Sequence, residues 1–151
     1  MSPLKRILLA EDDPNDVELT LRALDSQKLA NEVIVARDGV EALDYLLRRG
    51  AHAGRDPGHP VVVLLDLKMP RVSGMEVLRQ MKETPDLRAI PVVVLTSSRE
   101  SQDLKTCYAL GVNAYVVKPV QFPEFIQAVK QVGVFWALIN EPPPGSVTSG
   151  R

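Results

Sequence analysis

Four stretches of the 151-residue chain carry residues that could do chemistry. Asp66 closes the run VVVLLD; Glu11, Asp12 and Asp13 follow KRILLA; Thr96 closes PVVVLT, with Ser97 and Ser98 behind it; and Lys118 follows AYVV. A lone acid ending a run as apolar as VVVLL carries a desolvation cost unless something nearby stabilises its charge. Carboxylates brought together from separate segments repel one another, and a cation is the natural remedy. Oxygen donors without thiolate or imidazole suit magnesium, which keeps several waters and binds through one or two carboxylates plus phosphate oxygens. The chemistry expected of such a set is in-line phosphoryl transfer onto Asp66, giving an aspartyl phosphate. Lys118 would bring positive charge to the transferring oxygens, and the Thr96 hydroxyl a hydrogen bond. Taken singly, these residues have plainer readings: the acid triplet can cap a helix starting near Pro14, Thr96 can be an ordinary strand end, and Lys118 a solvated charge. Their joint occurrence favours the chemical reading.

Such residues work only if the fold gathers them, and the pattern around them provides for that. Apolar runs bounded by turn residues alternate with segments of helical period, as in a parallel sheet covered by helices on both faces. Five strands are expected: Lys5 to Ala10, Glu32 to Ala36, Val61 to Asp66, Pro91 to Thr96 and Ala114 to Val117. The third is β-branched and leucine-rich throughout, as a central strand buried on both faces would be. Helices are expected at Asn15 to Leu24, Val40 to Arg49, Gly74 to Glu83, Gln102 to Leu110 and Phe122 to Asn140, with Ser101 and Gly111 bracketing the fourth. In an open parallel sheet the functional crevice lies outside the carboxyl ends of the strands, which is where every residue of the set falls. The stretch GAHAGRDPGHP (50–60) reads as a long flexible loop whose His52 and His59 are solvated rather than ligands. EPPPGSVTSGR (141–151) reads as a disordered tail.

Composition sets the outer bounds. With 45% hydrophobic and 25% charged residues, the chain fits one globular domain. The single Cys107 allows no internal bridge, which fits a reducing, cytoplasmic setting. The apolar run near the start is too short for a membrane span and is followed at once by acids. A net charge of -1 offers no basic field for nucleic acid.

The segments ILLAEDDP, LLDLKMPRVSG, VVVLTS and AYVVKP, in this order and spacing, resemble the receiver domains of two-component response regulators, over about Leu4 to Val132. The resemblance implies a CheY-like, flavodoxin-like three-layer α/β/α sandwich with strand order 2-1-3-4-5, occupying residues 4–140 with an extended last helix. It implies Asp66 as phosphoacceptor, and Asp12, Asp66, Glu11 acting mostly through water, and the Lys68 backbone carbonyl as holders of Mg2+, for which Mn2+ can substitute. Thr96 and Lys118 match the pair that engages the phosphoryl oxygens, and Tyr115 the aromatic switch. Gly74 matches the glycine after the acceptor strand, and Lys118–Pro119 the family's cis peptide. Lys68 and Ser98 match positions that adjust phosphate lifetime. Asp13 matches nothing assured and is read as a cap. The donor implied is a phosphohistidine on a sensor kinase, which docks in the family around Leu19, Arg22 and Ala23.

The last helix is longer than a receiver needs. Phe125, Ile126, Val129, Val132 and Trp136 form one stripe with helical period that should cover the sheet. VGVFWALI is apolar on nearly every side, so Val134, Phe135 and Leu138 are expected to form a homodimer interface. The FW pair, the Pro-rich end and the 50–60 loop resemble the small single-domain regulators paired with bacterial phytochromes. No DNA-binding output is expected, only a tail, and no turnover of external substrates. The alternatives are an aspartate-nucleophile phosphatase-like hydrolase, which needs an acid where Lys68 stands, and a binding module that has lost phosphorylation, which the complete residue set disfavours.

Overall fold

The computed structural model describes residues 5–25, 31–97, 101–112, 114–118 and 121–131. Ser98, Pro119, Val132, Val134, Phe135, Trp136, Leu138 and the 141–151 tail lie outside the described residues. Five strands, β1 (Lys5–Ala10), β2 (Asn31–Ala36), β3 (Val62–Asp66), β4 (Val92–Thr96) and β5 (Ala114–Val117), alternate with helices. They form one parallel sheet of order β2-β1-β3-β4-β5. The helices are α1 (Pro14–Asp25), α2 (Gly39–Leu47), α3 (Gly74–Glu83), α4 (Ser101–Ala109) and α5 (Phe122–Gln131).

Period-two alternation sorts the strand side chains onto two faces. Leu8, Val63, Leu65, Val92 and Val94 pack with Leu46, Leu78, Met81 and Cys107, so α2, α3 and α4 cover one face. Ile7, Leu9, Val62, Leu64, Val93 and Leu95 pack with Val17, Leu24, Phe125 and Ala128, so α1 and α5 cover the other. Every residue of β3 and β4 is buried. Each such Val or Leu contributes about 1.5–3 kcal/mol of transfer free energy, enough in sum to offset ending β3 on a carboxylate. Burial pushes the Cys107 thiol up to about 11, so it packs as a neutral apolar group.

Two local features differ from expectation. Helix α2 stops at Leu47 rather than Arg49, because Arg48 takes the left-handed conformation (φ 55°) and its N–H turns back to the Asp44 and Tyr45 carbonyls. Non-glycine residues seldom adopt that cap, so nothing at Arg48 announced it. The 50–60 stretch is tethered rather than flexible. It begins with a 3-10 turn (Gly50–His52), and the Arg55 guanidinium donates to the Tyr45, Asp56 and Gly58 carbonyls while stacking 4.1 Å over the Tyr45 ring. His52 meets the edge of Tyr45 at 5.2 Å and lies 3.5 Å from Glu41, a packing role in place of the solvated one expected; His59 is exposed. No helix among the described residues is long and apolar enough to cross a membrane.

Candidate functional site

Strand order reverses between β1 and β3, and both end in acids at their carboxyl ends. Glu11 continues the β1 ladder through its N–H to the Ala36 carbonyl (2.9 Å) and is 1% exposed. Asp13 Oδ1 accepts from the N–H groups of Asn15 (2.8 Å) and Asp16 (3.3 Å), capping α1 as read from sequence. That cap sets the first turn of α1 beside the site and carries Asp16 toward it.

Asp66, 5% exposed, ends β3. Its Oδ1 accepts from the Lys68 N–H at 3.4 Å, at the long end of hydrogen bonding. Gly74 opens α3 directly behind it, its N–H bonded to the Leu67 carbonyl (2.9 Å); a Cβ there would overlap the Asp66 carbonyl oxygen. Only glycine lets the helix approach the acceptor strand so closely. Thr96 is buried at the end of β4, and its carbonyl accepts the Lys118 N–H (2.9 Å), which brings the lysine onto the same rim.

The Lys118 ammonium is the hub. Its Nζ lies 2.8 Å from Glu11 Oε1, 2.8 Å from Asp16 Oδ2 and 3.5 Å from Asp66 Oδ2. Glu11, Asp12 and Asp66 each offer a carboxylate oxygen, all within 4.8 Å of one another. An open cleft of about 220 Å³ is lined by these residues with Asp16, Thr96 and Lys118. Burial pushes the Glu11 carboxyl up to about 7, against the Lys118 hydrogen bond and the Asp13 N–H, which pull it down. Burial likewise raises Asp66, opposed chiefly by the Lys118 charge. Burial would lower Lys118, but the bonds to Asp16 and Glu11 and the Asp66 charge outweigh it and hold the ammonium above the ordinary lysine range. Several carboxylates share one ammonium, so the cluster is short of positive charge. Three hard oxygen donors with a charge deficit fit a divalent ion such as magnesium or manganese.

The structure therefore gathers Glu11, Asp12, Asp66, Thr96 and Lys118, together with the backbone at Lys68, around one cleft. Tyr115 stands apart from its lining, half-buried on β5 and packed against the core beneath α2, α3 and α4. Asp16 is the residue that sequence reasoning missed. Its signal was an acid in the first turn of α1, which reads equally well as a helix-dipole partner.

Residues 7–130 match the family described as response regulator receiver domain. The chain belongs to that family. This receiver is similar to the bacteriophytochrome response regulator AtBRR, with 61% identity, a TM-score of 0.85 and coverage of 93% of this chain and all of that one. It is equally similar to the bacteriophytochrome response regulator RtBRR: 60% identity, TM-score 0.84, and 95% and 87% coverage. The response regulator Rcp1 of Synechocystis sp. is 37% identical over 135 residues, 89% of this receiver and 90% of Rcp1. The solved structure of the Mn(2+)-bound form of Rcp1 aligns with a TM-score of 0.75 at 36% identity, over 93% and 99% of the two chains. The receiver is thus homologous to phytochrome-associated response regulators, and the hydrolase reading is not favoured.

Proposed function

We propose that Asp66 accepts a phosphoryl group from a phosphohistidine on a sensor kinase, with Mg2+ held by Glu11, Asp12, Asp66 and the Lys68 carbonyl. The observation that carries this reading is the 3.5 Å approach of Lys118 Nζ to Asp66 Oδ2 within the Glu11–Asp12–Asp66 group. A bound divalent ion supplies positive charge to the phosphoryl oxygens and relieves repulsion between those oxygens and Asp66. An Asp66 oxygen attacks phosphorus, the histidine N–P bond breaks, and its electron pair returns to the imidazole. Lys118, already beside Asp66, turns its ammonium to a phosphoryl oxygen, and the Thr96 hydroxyl donates to another. Tyr115, which pairs with Val94 two residues before Thr96 on β4, packs inward when the threonine shifts, altering the surface of α4, β5 and α5. Lys68 fills the place where a hydrolase needs an acid, so external turnover is not expected.

The kinase is of the bacteriophytochrome type, a reading supported by the 60–61% identity with RtBRR and AtBRR. Exposed Leu19 (44%) and Arg22 on α1 offer its docking surface. Manganese in place of magnesium is supported by the metal-bound form of Rcp1. The domain spans 4–140, works in the cytoplasm, and pairs with a second copy through Val134, Phe135 and Leu138. Net charge -1 supports a protein partner rather than nucleic acid. The test is incubation with acetyl phosphate and magnesium followed by intact mass. One added phosphoryl group is expected, absent in Asp66→Asn; equal modification of that variant would reject the acceptor assignment.

A further inference from the structure

The hold on Lys118 is divided. Two of its carboxylates, Glu11 and Asp66, belong to the group able to bind a metal ion, and the third, Asp16, does not. An ammonium and a divalent cation compete for the same oxygens, and as like charges in a partly dry cleft they repel. The Lys118 side chain is only 11% exposed and Asp16 27%, so water substitutes poorly for a lost partner. Asp16 sits in the first turn of α1, its N–H bonded to the Asp13 cap, at 2.8 Å from Nζ and outside the three carboxylates grouped closely enough to hold a metal.

We propose that Asp16 is a positioning residue: it holds the Lys118 ammonium when Glu11 and Asp66 turn to the metal, and so makes the metal site available. The inference rests on the preceding reading that those carboxylates bind a divalent ion. Among the described residues, Lys118 without Asp16 has only Glu11 and Asp66 to pair with, and an incoming ion must displace it from both. The plain alternative is an acid favouring the helix N-terminus, which would act on stability and owe nothing to Lys118.

The test is calorimetric titration of magnesium into the full chain as wild type, Asp16→Asn, Lys118→Met and the double variant, with melting temperatures to verify folding. Asp16→Asn is expected to weaken magnesium binding about five- to tenfold when Lys118 is present, and less than about twofold in the Lys118→Met background. Lys118→Met alone should bind magnesium more tightly than wild type, and Asp16→Glu, which keeps a carboxylate within reach of Nζ, should restore most of the affinity. Equal losses in both backgrounds would make Asp16 a through-space or helix-capping charge and overturn the proposal, as would unchanged affinity in Asp16→Asn. A wild-type chain that takes up no magnesium would instead overturn the parent reading, a result visible before any substitution.

Discussion

At the scale of single residues, Glu11 shows how burial and charge divide the work. It is 1% exposed and bonded to Lys118 at 2.8 Å, yet burial outweighs that bond and pushes its carboxyl up to about 7. A carboxyl raised in the folded state binds more protons folded than unfolded, so stability falls as pH rises from its ordinary value through the folded one. Asp66, also raised by burial, acts in the same direction, while Lys118 keeps its proton in both states across this range. With metal chelated, the melting temperature is expected to fall between about pH 5 and pH 7.5, and Glu11→Gln should flatten that slope in a thermal-shift series. Magnesium should raise the melting temperature more at pH 8 than at pH 5, because its ligands must be deprotonated.

At the scale of elements, two connections do different jobs at opposite ends of the sheet. The β3–α3 loop carries the backbone of Lys68 to the site and bends sharply at Arg71, whose φ of 67° lies in a turn closed by Val72 N–H to Pro70 O (2.8 Å). Turns of that hand are strained for a residue with a side chain. Two contacts with the start of α2 restrain it: Arg71 Nη1 lies 3.1 Å from Asp38 Oδ2, and Gly39 lies so close that a Cβ would overlap the Val72 carbonyl oxygen. Asp38 Oδ1 meanwhile caps α2 at Glu41 N–H (2.8 Å). The 50–60 connection lies at the amino ends of β1 and β3, where Val61 N–H meets the Arg6 carbonyl (2.8 Å) and the Arg6 guanidinium reaches the Tyr45 hydroxyl (3.2 Å). Arg55 organises it, so Arg55→Ala is expected to cost about 1–2 kcal/mol in denaturant unfolding. Amide exchange should quicken at Ala53 and Arg55, while acetyl phosphate still labels Asp66 at the wild-type rate. A slowed reaction would mean that the two rims are coupled.

At the scale of the whole molecule, two apolar layers clamp the sheet, and the described part of α5 closes one of them with Phe125 (0% exposed) and Ala128 (2%). Phe125 and Ile126 of the predicted stripe therefore pack where the helical period placed them. The apolar stretch beyond Gln131 is the part for which a second copy is proposed. A homodimer built on it should lose mass by light scattering when Phe135 becomes Asp, with the melting temperature of the receiver core little changed. Unaltered mass would reject that interface.

The chain alone determined the sheet, because VVVLLD and PVVVLT can be satisfied only by burial on both faces, and it determined which end carries the chemistry, because four of the five strands end in, or run directly into, a polar residue of the set. Asp13 was legible as a cap because capping is local, and Gly74 because the acceptor-loop motif marks it. Only the tertiary structure decided what Lys118 touches. Its bonds to Glu11 and Asp16 span 107 and 102 residues, and no local spacing encodes them. The tether of Arg55 escaped for a similar reason: Gly and Pro around it read as freedom, whereas a guanidinium over the Tyr45 ring removes that freedom once α2 has folded.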